Sequence, residues 1–444
     1  MMAVQPHVVI GLGESGCSVA RRLAAEDIPF SVGEDHPSAS AMREMAQLPN
    51  PPSIVPISEL TMNPGSKWIV SPGVPLSLPK LREAPKNGVT LTNDVALFAD
   101  RAKAPLVGIT GSNGKTTVTS IVEHLAKRQM PSVRVGGNIG TPCLDLLDDT
   151  TDCYVLELSS YQLELAQALP LEVGALLNLS PDHLDRYASV DDYYAVKSSI
   201  FTGARFGVVG EACLSYAQKG ACQSLSVFAE TVTAACPGFG LLEQNGQVHL
   251  AQGSKPLLDV QKLGIEGLSN WLNVLAALAI GECLGLDMQR MTADLPSFKG
   301  LPHRCQRIQR DDGCRWINDS KATNVGAAVA AIRSYSVLGS LILLLGGQSK
   351  SADFSELNTV LLEHKTLKAV FAYGEAAEEL QQALDAGLKV MCFESFEDMV
   401  ERAIKLANAG DVVLLSPACA SFDQFSGYEA RGNCFTAMLE RVVS

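Results

Sequence analysis

The sequence predicts an α/β protein of three domains in which the sheets are mostly parallel. Apolar strand-like segments alternate with helix-like segments along the chain, which is typical of parallel strands joined by crossover helices. Two glycine-rich loops each lie between a predicted strand and a predicted helix. The length of 444 residues is enough for two or three domains. We therefore expect a first domain over 1–93, a central domain over 94–298 and a third domain over 299–444.

The first domain is predicted to begin with short alternating elements. Residues 15–26 predict a helix, because their apolar residues recur at the spacing of one helical face. Proline-rich stretches at 49–56 and 71–79 interrupt any longer element. The predicted strands of this domain are 7–10, 30–33 and 89–91.

The central and third domains repeat the pattern of strand followed by helix. A connecting helix is predicted at 94–103, and the segment 205–265 is poor in helix signal, which predicts shorter strands. The predicted strands are 105–109, 153–157 and 174–179 in the central domain, and 316–317, 340–345, 369–372 and 411–415 in the third. The predicted helices are 116–128, 191–201 and 269–284, followed by 323–334, 353–363 and 376–386.

The composition argues against several classes of protein. The net charge is −13 without a long basic run, whereas a nucleic-acid-binding protein carries a positive stripe. No apolar stretch reaches the roughly 18 residues of a membrane-spanning helix, and the first residues lack the regions of a secretory signal. The 12 cysteines include no C-x-x-C pair. We expect a soluble cytoplasmic protein with reduced thiols, no nucleic-acid partner and no membrane insertion.

The segment GLGESG, residues 11–16, has the pattern G-x-G-x-x-G between a strand and a helix. Such a turn directs backbone N–H groups and the positive end of a helix at a diphosphate, which predicts a Rossmann-like domain. Glu34 follows the next strand, where an acidic group can accept a hydrogen bond from a ribose or a base. NAD is the obvious ligand, but any pyrophosphate compound satisfies the pattern, and the glycines could also serve only a tight turn.

The segment GITGSNGKTT, residues 108–117, resembles a phosphate-binding loop but departs from G-x-x-x-x-G-K-[ST], since Ile109 occupies the first glycine position. Gly111 and Gly114 permit a positive φ and close approach of a phosphate. Lys115 is expected to reach the β- and γ-phosphates, and Thr116 supplies a hydroxyl for Mg²⁺. The alternative is a solvent-exposed loop with a chance GKT.

A second magnesium ligand is predicted at Glu157, at the tip of an apolar strand in YVLELSSYQLE. A carboxylate that emerges beside a phosphate loop is placed to hold a metal ion. His183, in NLSPDHLDRY, is a further candidate. The alternatives are a strand-end charge that faces water and a structural histidine.

Seven segments occur in a fixed order along the chain: GITGSNGKTT, VLELSSYQLE, NLSPDHLDRY, SFKGLPHRCQ, WINDSKATNVGAA, LLLGGQSKSADF and LLSPACASFDQF. Together they resemble the Mur ligases of peptidoglycan synthesis, and among them most closely the members that add D-glutamate. The resemblance covers residue 8 to about residue 436. The first three segments are shared with folylpolyglutamate synthetase, whereas the last three, with YEARGNCF, are typical of the D-glutamate-adding members.

The resemblance implies a reaction and its participants. ATP phosphorylates the L-alanine carboxylate of UDP-N-acetylmuramoyl-L-alanine, and the amine of D-glutamate attacks the acyl phosphate. Catalysis of this kind consists of positioning and of neutralising charge on the transferred phosphoryl group. The implied cofactors are ATP and Mg²⁺, with two ions. The implied fold is a Rossmann-like N-terminal domain, a central P-loop-type ATPase domain with a mostly parallel sheet, and a C-terminal Rossmann-like α/β domain. We also expect a monomer.

The resemblance also assigns the nucleotide and metal residues. Those implied for ATP are Gly111, Ser112, Asn113, Gly114, Lys115, Thr116, Thr117, Asn270, Arg304 and Asp319. Those implied for magnesium are Thr116, Glu157, His183 and Lys197, the last as a carbamate that converts a cation into a carboxylate. The implied catalytic residues are Lys115, Glu157, His183 and Lys197.

The substrate sites are assigned in the same way. The residues implied for the UDP substrate are Gly13, Glu14, Ser15, Glu34, Asp35, Ser71, Gly73 and Asn138. The residues implied for D-glutamate are Lys321, Thr323, Lys350, Ser421 and Phe422. The sequence departs from the family pattern at a few positions: Phe422 stands where Leu is usual, Tyr428 where Phe is usual, Ser269 where His is frequent, and GEDHP (33–37) where a D-T/S-R-type stretch is expected.

Two alternatives to a D-glutamate ligase follow from parts of the sequence. Another Mur ligase or a folylpolyglutamate synthetase would share the phosphate loop but need a different amino-acid pocket. A nicotinamide oxidoreductase is suggested only by GLGESG, and it gives no role to Lys115 or Glu157.

Overall fold

The structure is a computed structural model, and it describes residues 7–166, 168–182, 186–217, 222–232, 238–335, 339–349 and 352–441. The strands are β1 His7–Ile10, β2 Phe30–Gly33, β3 Ile54–Val55, β4 Lys67–Val70, β5 Thr90–Thr92, β6 Leu106–Thr110, β7 Val133–Gly137, β8 Cys153–Glu157, β9 Val173–Leu176, β10 Phe206–Gly210, β11 Ser224–Thr231, β12 Phe239–Gln244, β13 Gln247–Gln252, β14 Lys255–Asp259, β15 Gln306–Ile308, β16 Arg315–Asn318, β17 Leu341–Gly346, β18 Leu367–Tyr373, β19 Met391–Phe393 and β20 Val412–Ala418. The helices are α1 Glu14–Ala25, α2 Ala39–Ala46, α3 Pro79–Glu83, α4 Asp94–Ala99, α5 Lys115–Ala126, α6 Ser160–Leu163, α7 Val190–Ser198, α8 Leu214–Ala217, α9 Leu268–Cys283, α10 Met288–Asp294, α11 Val325–Tyr335, α12 Ser355–Glu363, α13 Ala377–Ala383, α14 Phe396–Leu406 and α15 Tyr428–Arg441.

The first sheet has the strand order β3-β2-β1-β4-β5, and its neighbouring strands are parallel. The predicted strands β1 and β2 are confirmed, and α1 lies within one residue of its predicted bounds at each end. The sequence does not predict β4, because four residues between two proline-rich stretches are too short for a periodic pattern. Trp68 and Val70 of this strand are nevertheless buried in the sheet.

The central sheet is mixed. Its parallel part has the order β11-β10-β9-β6-β8-β7, and β12, β13 and β14 form an antiparallel meander. The register pairs Ile109 of β6 with Glu157 of β8, so the carboxyl ends of these strands lie side by side. Since β6 has β8 on one side and β9 on the other, the strand order reverses at β6. Ligands of open α/β sheets bind at such a reversal, outside the carboxyl ends of the strands.

The chain divides into two compact units, 1–179 with 183–229 and 276–291, and 180–182 with 230–275 and 292–444. In the first unit, the N-terminal sheet and the parallel part of the central sheet share one apolar core. The Phe98 ring of α4 meets the Tyr154 ring of β8 edge to face, with centroids 5.0 Å apart. The three sheets agree with the predicted α/β organisation, while the predicted domain bounds stay a prediction.

The third sheet has the order β15-β16-β20-β17-β18-β19, with β15 antiparallel to β16 and the other neighbours parallel. Successive side chains of β17 enter different cores. Leu343 packs with α11 and α12, and Leu344 packs with α14 and α15. Helices on both faces are what a mostly parallel sheet requires.

A few elements differ from the expectation. The connecting helix α4 ends at Ala99 instead of 103, because the Arg101 and Ala102 N–H groups both return to the Phe98 carbonyl. Helices α10, α14 and α15 lie outside the predicted helices. Within the described ranges, no helix is long and apolar enough to cross a membrane. The cysteines that the structure describes are unpaired thiols.

Candidate functional site

The phosphate loop joins β6 to α5 and has the local geometry that its glycines require. Gly111 has a φ of +156° and Gly114 a φ of +83°, and Gly114 is the residue that precedes the first helical turn. A Cβ at Gly111 would lie 3.0 Å from the Cβ of Leu177, which is tighter than an ordinary contact, so a side chain there would push against Leu177. The N-terminus of α5 thus faces a loop that can wrap closely around an anion.

Asn178, which the sequence analysis did not assign, holds this loop in place. Its side-chain Oδ1 accepts a hydrogen bond from the Asn113 N–H at 2.8 Å, and its Nδ2 donates to the Asn113 carbonyl at 2.9 Å. Its own carbonyl accepts from the Ser112 N–H at 3.0 Å. These three bonds fix the middle of the loop before a ligand arrives, which lowers the entropic cost of binding.

Two lysines meet at the start of the loop. Lys115 Nζ donates to the Gly111 carbonyl at 2.8 Å, and Lys197 Nζ donates to the same oxygen at 2.9 Å. Lys197 is only 2% exposed, and its ammonium lies 5.0 Å from the centre of the Tyr193 ring. The Tyr193 hydroxyl is in turn 3.2 Å from Ser112 Oγ. Both lysine nitrogens therefore lie at the start of the loop that is predicted to bind phosphate.

Glu157 lies beside the first turn of α5. This carboxylate is 2% exposed, and Oε2 accepts a hydrogen bond from the Thr116 hydroxyl at 2.7 Å. Oε1 accepts from Asn138 Nδ2 at 2.8 Å, and the Asn138 N–H donates to the Glu157 carbonyl. The structure therefore places Asn138, which the resemblance assigns to the UDP substrate, against the predicted metal ligand.

The donor set at Thr116 and Glu157 fits Mg²⁺. Hydroxyl and carboxylate oxygens are its preferred protein ligands, and its shell is commonly completed by phosphate oxygens and water. Among the residues that the structure describes, no group of three or more His, Cys, Asp and Glu side chains could hold a metal ion. A site made of one hydroxyl, one carboxylate and substrate oxygens agrees with that finding. His183 lies outside the described residues.

The N-terminal glycine loop is tightly closed. A Cβ at Gly16 would lie 1.9 Å from the Gly11 carbonyl oxygen, so only glycine fits there, whereas no atom lies within 4 Å of the corresponding position at Gly13. The Ser71 hydroxyl donates to the same Gly11 carbonyl at 2.9 Å. Gly13, Glu14, Ser15, Ser71 and Gly73 thus follow the carboxyl ends of the adjacent strands β1 and β4.

Glu34 and Asp35 support loops at the edge of this site. Glu34 accepts from the Leu12 N–H at 2.7 Å and from the His36 N–H at 2.9 Å. Asp35 accepts from the Ile57 N–H at 2.9 Å. Both carboxylates therefore shape the backbone around the predicted nucleotide site.

A second cluster surrounds Asp319 at the carboxyl end of β16. Its carboxylate accepts from the Ser416 hydroxyl at 2.9 Å and from the Cys305 N–H at 3.1 Å. Burial raises the pKa of the Asp319 carboxyl to about 7, and the charge of Arg304 opposes the rise. Arg304 is flanked by His303 and Cys305, which both have a positive φ. Asn270 belongs to α9, and its Nδ2 donates to the Glu266 carbonyl at 2.9 Å.

The predicted D-glutamate residues follow the ends of adjacent strands. Lys321 and Thr323 follow β16, and Ser421 and Phe422 follow β20, which is the neighbour of β16. Ser421 is buried at 2% exposure, whereas Phe422 is 62% exposed. Lys350 follows β17 along the chain and lies outside the described residues.

Arg431 of α15, which has no role among the sequence-based assignments, connects these loops through hydrogen bonds. It is fully buried, and its guanidinium donates to the Ser320 carbonyl at 2.9 Å, to the Cys419 carbonyl at 3.1 Å and to the Gly346 carbonyl at 3.2 Å. These carbonyls belong to the segments that carry Lys321, Ser421 and the loop after β17. The only sequence signal for Arg431 is its position in the segment YEARGNCF.

Comparison with known proteins agrees with this organisation. Three family models match the chain: the Mur ligase MurD-like N-terminal domain at 5–93, the Mur ligase middle domain at 109–281, and the Mur ligase glutamate ligase domain at 303–419. The UDP-N-acetylmuramoylalanine–D-glutamate ligase of Pseudomonas syringae pv. syringae is 42% identical over 98% of this chain and 97% of its own length. The Pseudomonas aeruginosa protein of the same name is also 42% identical, over 98% of each chain.

The solved structures add the fold. The MurF ligase of Thermotoga maritima, in complex with ADP, aligns with a TM-score of 0.61 and 18% identity over 87% of this chain and 97% of its own. That likeness supports the three-sheet architecture, and the nearly full-length sequence identity is far more specific. The chain belongs to the Mur ligase family.

Proposed function

We propose that this protein is the ATP-dependent ligase that joins D-glutamate to the L-alanine carboxylate of UDP-N-acetylmuramoyl-L-alanine. The observation that carries the proposal is the 42% identity to D-glutamate ligases along 98% of the chain, which includes the third domain as well as the phosphate loop. A ligase for another amino acid would share the phosphate loop and differ in the third domain. The family match to a MurD-like N-terminal domain points the same way.

The reaction proceeds in two steps, a phosphoryl transfer and an acyl transfer. A carboxylate oxygen of the L-alanine attacks the γ-phosphorus of ATP, and the bond to the β-phosphate oxygen breaks to release ADP. The amine of D-glutamate then attacks the carbonyl carbon of the acyl phosphate, loses a proton, and phosphate departs with the electrons of the C–O bond. The amide forms because phosphorylation converts a poor leaving oxygen into a good one.

The phosphate loop supplies the charge stabilisation for the first step. The N–H groups at the start of α5 and the ammonium of Lys115 are assigned to the phosphates of ATP. Lys115 Nζ donates to the Gly111 and Ser112 carbonyls at 2.8 and 3.1 Å, which keeps the ammonium at the loop that is proposed to hold the phosphates. Preorganised donors of this kind stabilise charge that develops in a transition state.

Thr116, Glu157 and His183 are proposed to hold Mg²⁺, which supplies neutralisation of phosphate charge when bound. We also propose Lys197 as a carbamate, formed when its amine adds CO₂ and releases a proton. Its burial and its position against the phosphate loop support the idea, since a carboxylate there would lie beside the loop that is proposed to hold the phosphates and their Mg²⁺.

The carbamate hypothesis has a direct test. Lys197→Ala should lose most of its activity and recover part of it in added formate or acetate, because a free carboxylate can occupy the vacated space. A fully active Lys197→Ala enzyme would contradict the hypothesis, and so would a wild-type protein whose intact mass under non-denaturing conditions never includes the added CO₂.

The remaining assignments follow the resemblance. The first domain, 1–93, is proposed to bind the UDP moiety through Gly13, Glu14, Ser15, Glu34, Asp35, Ser71 and Gly73, with Asn138 from the central domain, 94–298. The third domain, 299–444, is proposed to bind D-glutamate, and Asn270, Arg304 and Asp319 the rest of ATP. We further propose a cytoplasmic monomer.

The deciding experiment is phosphate release measured with UDP-N-acetylmuramoyl-L-alanine and a panel of amino acids. Among the amino acids of the panel, only D-glutamate should support turnover. Equal turnover with L-glutamate would contradict the pocket assignment, and a preference for meso-diaminopimelate would indicate a different Mur ligase. Tight binding of NADH at the N-terminal loop would favour the oxidoreductase reading instead.

A further inference from the structure

A lysine of the predicted D-glutamate site lies on the face of an aromatic ring. The Lys321 ammonium is 4.1 Å from the centre of the Tyr428 ring, well within the range of a cation–π interaction. We propose that Tyr428 is a positioning residue, whose ring holds the Lys321 ammonium in place for the anionic groups of the reaction. Tyr428 stands where the family usually has Phe, so the proposal concerns the ring and not the hydroxyl.

The backbone ties the two residues together independently of the ring. The hydroxyl of Ser320, the residue before Lys321, donates to the Tyr428 carbonyl at 2.8 Å. Arg431, one helical turn beyond Tyr428, donates to Ser320 Oγ at 3.0 Å and to the Ser320 carbonyl at 2.9 Å. The start of α15 and the chain after β16 are therefore in fixed register, which brings the lysine over the ring.

The Tyr428 ring is itself restrained by His303. The two rings meet nearly at right angles, with centroids 6.3 Å apart and an interplanar angle of 78°. A Cβ at Gly432 would lie 2.3 Å from His303 Nδ1, so the absence of a side chain there allows the imidazole to approach α15. Burial lowers the pKa of His303, which favours the uncharged imidazole beside the ring.

A ring suits this task better than a carboxylate would. A carboxylate partner would cancel the charge of Lys321 and compete for its N–H groups, whereas the ring stabilises the ammonium without neutralising it. In the proposed site, the anions that this ammonium would attract are the carboxylates of D-glutamate and the phosphate of the acyl intermediate. The Glu429 carboxylate also interacts electrostatically with Lys321, but it is exposed, so water screens that attraction.

The inference rests on the proposed assignment of Lys321 to the D-glutamate site, and the experiment separates the two. Tyr428 is replaced by Phe and then by phenylalanines with one, two and three ring fluorines, which remove negative charge from the ring face at nearly constant shape. Tyr428→Phe should retain activity, and kcat/KM for D-glutamate should fall stepwise with fluorination. Tyr428→Leu should lose roughly fivefold to thirtyfold, with KM for the UDP substrate unchanged.

Control variants distinguish the positioning role of Tyr428 from other causes of lost activity. Phe393→Leu removes a ring from β19, at the opposite edge of the same sheet, and should leave kcat/KM for D-glutamate unchanged. A flat fluorination series, or a Glu429→Gln enzyme that loses as much as Tyr428→Leu, would overturn the positioning role while leaving the ligase activity intact. A fully active Lys321→Met enzyme would instead overturn the assignment of the lysine.

Discussion

Replacement of Arg431 by methionine tests the claim that one buried guanidinium organises the proposed D-glutamate site. Methionine has a similar length and fills the space, but it leaves the carbonyls of Ser320 and Cys419 without the donors that now lie at 2.9 and 3.1 Å. Each buried acceptor left unpaired costs about 1–3 kcal/mol. The removal of a buried charge offsets part of this cost. We expect a net loss of about 3–5 kcal/mol in the free energy of unfolding, or roughly 10 °C in melting temperature.

The assay is urea denaturation followed by circular dichroism, together with kinetics at varied D-glutamate. Because Ser320 precedes Lys321, the same change should raise KM for D-glutamate. Arg333→Met is the matched control: Arg333 lies in the same unit, is 58% exposed and pairs with Glu356 at 3.7 Å, so its loss should cost less than about 1 kcal/mol. If the two variants shared one urea midpoint and one KM, the organising role of Arg431 would be refuted.

Three further predictions concern other parts of the molecule. Lys115→Ala should lower phosphate release at least about 100-fold while the urea midpoint changes little, because its charge acts on the bound phosphates; near-normal turnover would discredit the phosphate-loop role. Because burial raises the pKa of Asp319 to about 7 in the folded protein, the carboxyl of the unfolded chain loses its proton at a lower pH. The stability that the protonated carboxyl contributes is therefore present below about pH 4 and is lost as the pH rises to about 7. Asp319→Asn should therefore gain stability relative to the wild type on going from pH 5 to pH 8. If the free energies of unfolding of the two proteins changed with pH in parallel, the raised pKa of Asp319 would be contradicted. Gly16→Ala should lower the free energy of unfolding by about 1–3 kcal/mol and raise KM for the UDP substrate, since its Cβ would overlap the Gly11 carbonyl; Gly13→Ala should be far milder in stability, and equal losses in both would count against the overlap.

The geometry of the glycine loops could be predicted because it depends on residues that are neighbours in the chain. Gly111, Gly114, Lys115 and Thr116 belong to one continuous strand–loop–helix, so the spacing of the motif fixes their geometry. The position of Glu157 was predictable for a related reason. An apolar strand that ends in a charged residue places that residue at the edge of the sheet, and the register that pairs Glu157 with Ile109 puts it beside the phosphate loop. Helix α14 has buried apolar residues at helical spacing and still lies outside the predicted elements.

The residues that support the sites could not be found in this way. Arg431 bonds to Ser320, which is 111 residues away, and Asn178 bonds to Asn113, which is 65 residues away. Neither partner carries a local pattern that points to the other. Tyr428 is similar, because only the packing of α15 against the end of β16 brings its ring to Lys321.

The sequence by itself determined the α/β class, the order of strands and helices around each loop, and the strand–loop–helix geometry of residues 111–116, whose binding of phosphate stays a prediction. These depend on interactions between residues close in the chain, where spacing and glycine conformation dictate geometry. Only the tertiary structure decided that Asn138 contacts Glu157, that Arg431 joins three loops, and that the Tyr428 ring faces Lys321. Those contacts arise from burial and sheet order, which bring distant segments together and which no local pattern encodes.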